Sequence, residues 1–253
     1  MLNTHILEIL LLAGFAAGFV DSIAGGGGLI SLPVLLALGV PPHYALGTGK
    51  LASTMGSLTA TRAFIKKRIF NPVLWKATIV ATLMGAILGV ALSQLVSAEH
   101  LKQIIPFVIV MVAVYMLFFA PRKTAQLSTP YTFKPAVKSG SIIGIILGCY
   151  DGFMGAGVGS FWTTTVMAIY KLDLLTASAV ARVMNFVSNI TALIVFALFH
   201  KVHYIIGLSM GIGFIIGTQI GAHMAIRFGA KFIKPIFLTV VLMVAGHLMW
   251  AQI

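Results

Sequence analysis

The strongest constraint on this chain is the stretch Gly18-Phe19-Val20-Asp21-Ser22-Ile23-Ala24-Gly25-Gly26-Gly27-Gly28, which sets a carboxylate and four consecutive glycines inside apolar sequence. Four glycines do not hold a helix against roughly 1 kcal/mol each of lost propensity. In hydrocarbon an unpaired backbone amide costs several kcal/mol, so non-helical backbone survives at membrane depth only where protein buries it or water lines it. The stretch therefore predicts a broken helix at the floor of a cavity, with bare amides that can come close to a bound ion. It also occurs twice. Residues 144–157 repeat residues 14–27, and Gly14, Gly18, Asp21, Gly25 and Gly27 are matched by Gly144, Gly148, Asp151, Gly155 and Gly157 at a constant shift of 130.

Composition supplies the hydrocarbon. The 253 residues are 59% hydrophobic and 9% charged, and mean hydropathy is +1.05. A soluble domain carries about 25% charged residues, so this reads as an all-α polytopic membrane protein. Its apolar runs are long and continuous, as helices require and barrel strands do not. The formal charge of +12 would point to nucleic acid in a soluble protein. Here the basic residues sit in short connections, where they set orientation against the membrane. No nucleic-acid partner is expected, and the protein's own field favours anions. The single cysteine, Cys149, leaves no internal disulfide and no cysteine-based metal site. No metal or cofactor is expected, and His200 and His203 have no nearby ligand partner. No Lys or Arg precedes the first apolar run, which reads as a membrane element rather than a cleaved signal.

Apolar arms at 6–20 and 29–38 flank the first glycine run. Each is shorter than the roughly 20 residues a span needs, so the pair either re-enters or crosses. A helix at 45–65, rich in Ser and Thr, suits the inside of a bundle; spans at 74–96 and 101–119 follow. A basic cytoplasmic linker, 121–136, separates this first membrane repeat (1–120) from a second (137–253). The second repeats the order: arms at 137–150 and 160–169, a helix at 174–199, spans at 205–226 and 232–250. Lys50 falls on Arg182, Ser57 on Asn189, Gly85 on Gly217 and Gly89 on Gly221, all at a shift of 132. The Gly-x-x-x-Gly pairs predict close helix packing, and Trp75, Tyr204 and Trp250 read as interfacial anchors.

Basic residues crowd three connections: Arg62, Lys66, Lys67, Arg68 and Lys76; Arg122, Lys123, Lys134 and Lys138; Arg227, Lys231 and Lys234. All three are expected in the cytoplasm, with both termini on the other side. Each half then makes an odd number of crossings. The result is two inverted-topology repeats, each with a Gly-broken or re-entrant helix pair followed by three transmembrane helices.

Inverted repeats with interrupted helices near mid-membrane point to a secondary transporter rather than an enzyme. Gly25, Gly26, Gly27 and Gly28, with Gly155 and Gly157, offer amides and helix ends to a small anion. Lys50 and Arg182 lie inside their helices, where a cation must be paired or solvated. Thr48, Ser53, Ser57, Asn185 and Asn189 add neutral hydrogen bonds, with Arg182, Asn185 and Asn189 on one helix face. Asp21 and Asp151 read as structural ion pairs with Lys50 or Arg182, as caps on broken helices, as proton-coupling carboxylates, or as cation ligands. A passive anion channel remains a second reading. An intramembrane aspartyl protease would need two embedded aspartates, but neither carries a Gly-x-Gly-Asp signature.

The motif at Gly18–Gly28, followed by Ala-Leu-Gly-Thr-Gly-Lys-Leu from Ala45 to Leu51, resembles the sulfite exporter TauE/SafE family in its YfcA-like branch. Tyr-Asp-Gly-Phe-Met-Gly from Tyr150 and Arg-Val-Met-Asn-Phe-Val-Ser-Asn from Arg182 resemble its second-half counterpart. The resemblance covers nearly the whole chain. It implies a multi-pass permease of the bacterial inner membrane, with periplasmic termini, for small sulfur-containing anions such as sulfite or sulfonates. Import or export, the coupling ion and assembly into a homo-oligomer stay open. Ala156 and Val158 replace two glycines of the first break, so equal roles for the two breaks are not implied.

Overall fold

A computed structural model describes residues 4–118 and 133–228 of the chain. Most of the 121–136 linker, the 232–250 span, Arg122, Lys123, Lys231, Lys234 and Trp250 lie outside the described residues, as does the side chain of Arg227. The described residues form nine helices and no strands. They are α1 (Thr4–Ala24), α2 (Gly28–Ala37), α3 (Pro42–Lys66), α4 (Lys76–Leu95), α5 (Ala98–Phe118), α6 (Val137–Phe153), α7 (Val158–Tyr170), α8 (Leu174–Leu198) and α9 (Tyr204–Phe228). Five of them, α1, α4, α5, α8 and α9, are long and apolar enough to cross a membrane.

Local chemistry sets the boundaries. Pro41 and Pro42 open α3, where a missing N–H costs nothing. The Asp173 carboxylate accepts from Thr176 N and caps α8, satisfying one of its free first-turn donors. Helix α1 runs on to Ala24 and has 21 residues, longer than the arm at 6–20. It continues because Asp21 is neutralised rather than expelled from the apolar run. The 10 residues of α2 and 13 of α7 are too short to span.

The bundle is built around α3 and α8, which run antiparallel: Gly47 meets Phe196, Lys50 meets Asn189, and Thr61 meets the Arg182 carbonyl. Around them α1 lies parallel to α9, with Gly14 against Met210, Gly18 against Phe214 and Gly217 against Phe15. On the other side α4 lies parallel to α6, with Gly144 against Thr78, Gly85 against Ile145 and Gly89 against Cys149. At each contact a Cβ would strike main chain, so glycine is what lets the backbones approach. The contacts pair an element of one repeat with an element of the other.

Polarity is inverted relative to a soluble bundle. Ile9, Leu12, Met84, Leu88, Phe107, Met111, Ile212 and Ile216 face outward, whereas Asp21, Lys50, Asp151, Arg182, Asn185, Ser188 and Asn189 are buried. Trp75 is not an interfacial anchor: it is 4% exposed and packs with Phe70, Phe133 and Tyr170. That aromatic group lies at the end of the bundle carrying Lys66, Lys67, Arg68, Lys76 and Lys138, since Gly140 sits on Thr78 and Ser139 bonds Tyr170.

Candidate functional site

The two glycine breaks meet. Gly25 has φ +76° and Gly155 has φ +76°, a left-handed conformation that glycine adopts at little cost. A Cβ on Gly25 would lie 2.5 Å from the Gly159 carbonyl carbon and the Ser160 nitrogen, and one on Gly28 3.3 Å from Ala156 Cα. So the start of α7 rests directly on the break between α1 and α2. A Cβ on Gly155 would run into Asp151 Oδ1 and come within 2.7 Å of Lys50 Nζ. That glycine leaves room for the charges beside it.

Those charges pair across the repeats. Lys50 Nζ on α3 donates to Asp151 Oδ1 on α6 at 2.5 Å and to Asn189 Oδ1 on α8 at 3.0 Å. Arg182 Nη1 on α8 donates to Asp21 Oδ2 on α1 at 2.9 Å. Ser188 Oγ donates to Asp151 Oδ2, Gly27 N donates to Asp21 Oδ1 at 3.2 Å, and Asn189 Nδ2 donates to Asn185 Oδ1 at 2.9 Å. Every carboxylate oxygen thus has a donor, as buried charge requires. The four charges sum to zero. Each aspartate faces a cation rather than the other aspartate, unlike a protease dyad in which two carboxyls share a proton.

Beside this network opens a small cavity of about 30 Å³. At the ~10–15 Å³ that one water needs, it holds about two waters, and only a solute of a few atoms fits. Asp21, Gly25, Gly28, Lys50, Ser53, Gly155, Asn185 and Asn189 line it, all of them anticipated from the sequence. Ser31 and Leu32 of α2, Ala45, Leu46 and Gly49 of α3, Met154 and Val158 complete it. From Ser53 to Ala45 the lining runs toward the N-terminal end of α3, away from the basic loops.

The other sequence candidates lie off the lining. Gly27 gives its amide to Asp21, and Gly26 is buried next to it. Thr48 Oγ1 accepts from His203 N at 3.0 Å, so it ties α3 to the start of α9. Ser57 Oγ donates back to the Ser53 carbonyl at 2.7 Å. Gly157 turns toward α5, where a Cβ would meet Val112. Asp151 and Arg182 stand behind Lys50 and Asp21 as their partners. Ser188 was not anticipated. It lies one helical turn before residue 192 and three residues after Asn185, on the polar face already marked by Arg182 and Asn185, and that spacing was the available signal. Among the described residues no group of three His, Cys, Asp or Glu gathers around a metal position.

Comparison with known proteins extends the geometry. The sequence profile described as "Sulfite exporter TauE/SafE" matches residues 10–248. The "Probable membrane transporter protein ORF9" of Sinorhizobium sp is 36% identical over 245 residues, 97% of this chain and 93% of that protein. A "Probable membrane transporter protein" of Haemophilus influenzae is 34% identical over 252 residues, 99% of this chain and 97% of its own. The "Probable membrane transporter protein YfcA" of Escherichia coli is 32% identical over 255 residues, 99% and 92% of the two chains. No solved structure matches.

Proposed function

The chain belongs to the sulfite exporter TauE/SafE family, and on that premise we propose that it is a secondary transporter of a small anion, a sulfur oxyanion or organosulfonate, working by alternating access. The observation that carries this reading is the pair of ion bridges between repeats, Lys50–Asp151 and Arg182–Asp21, beside a cavity that admits only a few-atom solute. The antiparallel course of α3 and α8, the repeat-related helices, supports an inverted arrangement. Basic residues of the α3–α4 loop and the start of α6 share one end, which supports a cytoplasmic placement for that end. In a bacterial inner membrane the cavity and the start of α1 then face the periplasm.

Charge balance suggests the coupling. Lys50 lines the cavity while its partner Asp151 does not, so an anion can reach the ammonium directly. Bringing one negative charge next to a neutral pair in low dielectric is unfavourable. A proton taken by Asp151 changes that: the pair becomes a lone cation, and cation plus anion again sum to zero. Anion and proton then travel together, whereas at the other bridge the carboxylate of Asp21 lines the cavity and its cation, Arg182, stands behind it. Ser53, Asn185 and Asn189 supply neutral hydrogen bonds that orient oxygens without adding fixed charge. Backbone at Gly25, Gly28 and Gly155 lines the floor, with the Gly25 and Gly155 amides already donated to the Asp21 and Tyr150 carbonyls.

Flux into proteoliposomes, measured for sulfite, thiosulfate, sulfonates and carboxylates with and without a pH gradient, tests the reading. We expect saturable flux of at least one sulfur oxyanion or sulfonate, enhanced by the gradient and lost in Lys50→Ala and Arg182→Ala. Unchanged flux in both variants would remove the site. Gradient-independent conduction at channel rates would mark a passive pore instead.

A further inference from the structure

The cavity is lopsided. On the first-repeat side Leu32, Leu46 and Gly49 line it. The repeat shifts of 130 and 132 set Trp162, Ser178 and Ala181 at the corresponding positions, and none of these three lines it. Trp162 lies one turn into α7, as Leu32 lies one turn into α2, but on the side of the basic loops. It is 0% exposed and packs among Val158, Ala177, Ala181 and Met184. Beyond it, toward the same end, sit Trp75, Phe133 and Tyr170.

A second observation concerns the indole itself. Trp162 Nε1 is buried and has no hydrogen-bond partner among the described residues. Burying an unpaired donor costs free energy that an all-carbon side chain would not incur, and Leu32 shows that such a side chain serves at the corresponding position. A tryptophan there fits a group whose partner arrives in another conformation. A neutral N–H also suits an anion path, because it donates without adding fixed charge.

We propose that Trp162 plugs a second mouth of the anion path, the repeat-related counterpart of the present cavity, bounded by Ser178 and Ala181 and opening toward the basic loops. The plug rests on the alternating-access reading above. In the conformation described here the cavity reaches Leu32, Leu46 and Gly49, whereas the indole fills the side of Ala181, which is buried with it. When α7 shifts against α8, the indole leaves and its N–H meets the entering water or anion, while Leu32 and Leu46 close the first mouth.

Thiol accessibility tests this without a transported anion, so failure of the sulfur-anion assignment leaves the result readable. In a Cys149→Ala background, Gly49→Cys or Ala181→Cys is placed in right-side-out and inside-out vesicles; Gly49 lines the cavity and a Cβ there meets nothing closer than 3.8 Å, whereas Ala181 is 1% exposed. The probe is the silver ion in nitrate medium, small enough for the cavity, and its reaction is read as thiol lost to maleimide after denaturation. Gly49→Cys should react from the outer face only, and Ala181→Cys slowly from either face. Adding Trp162→Ala, or the milder Trp162→Leu, should speed Ala181→Cys reaction at least tenfold from the cytoplasmic face. Trp162→Phe, which refills the volume, should keep it slow. The proposal is overturned if Ala181→Cys stays slow in both opening variants, if it reacts from the same face as Gly49→Cys, or if Gly49→Cys accelerates equally.

Discussion

Consider removing the two members of the Lys50–Asp151 bridge singly and together. Both side chains are buried, 6% and 1% exposed, with Nζ 2.5 Å from Oδ1. In Lys50→Met, Asp151 keeps only Ser188 as a side-chain donor. In Asp151→Leu, the ammonium keeps only Asn189. Stripping one partner from a buried pair costs about 3–5 kcal/mol, whereas replacing both by apolar groups of similar volume is close to neutral. Independent losses would therefore sum to roughly 6–10 kcal/mol, while the bridged geometry predicts a double variant within about 2 kcal/mol of the parent. The assay is equilibrium unfolding in mixed micelles titrated with a denaturing detergent, run as a full double-mutant cycle. Lys50→Met with Asp21→Asn is the control, since Asp21 belongs to Arg182, and it should recover less than half as much. Additive losses within about 0.5 kcal/mol for Lys50 and Asp151 would refute the pairing.

Four further outcomes follow from local geometry. Gly155→Ala combines the left-handed φ of +76°, worth about 1–2 kcal/mol against a side chain, with a Cβ driven into the Lys50–Asp151 bridge; anion flux should fall at least tenfold with the protein still purifying as a folded species. Gly217→Leu should prevent recovery of folded protein, because its Cβ meets Phe15 main chain that cannot yield. By contrast Gly39→Ala, with nothing within 4 Å and φ +78°, should lose only about 1–2 kcal/mol in the same unfolding assay. Ser188→Ala takes one donor from Asp151 and should lower stability by about 1–3 kcal/mol, and the pH at which flux is half-maximal should move with it.

Much of this could be read from the chain itself because the constraint is periodic. The doubled Gly18–Gly28 pattern located both breaks, and the shared register of Lys50 with Arg182 located both cations. Pairing was a different matter. A repeat shift says which residues are equivalent, yet it cannot say that Asp21 reaches Arg182 in the other half rather than Lys50 in its own; that depends on α1 and α6 each packing beside the opposite repeat. Asp21 interrupts the apolar run and so hides the last turn of α1, yet a partner 161 residues away keeps it in the helix. Trp75 misled because interfacial enrichment is a tendency of lipid-facing aromatics, and here Phe70, Phe133 and Tyr170 enclose it. Thr48 and Ser57 carry the right groups at plausible depth, but their hydroxyls are occupied by His203 N and by the helix's own carbonyls.

The central claim is that an anion takes the place of a carboxylate beside a buried cation, and that a proton makes the exchange possible. Counting protons against anions measures it: the best-transported anion of the flux panel enters proteoliposomes containing a pH-sensitive dye, in the parent protein and in Asp151→Asn. The account predicts close to one proton per singly charged anion in the parent, and a ratio cut at least by half in the variant. Anion entry with no accompanying proton, or the same ratio in both proteins, would contradict it.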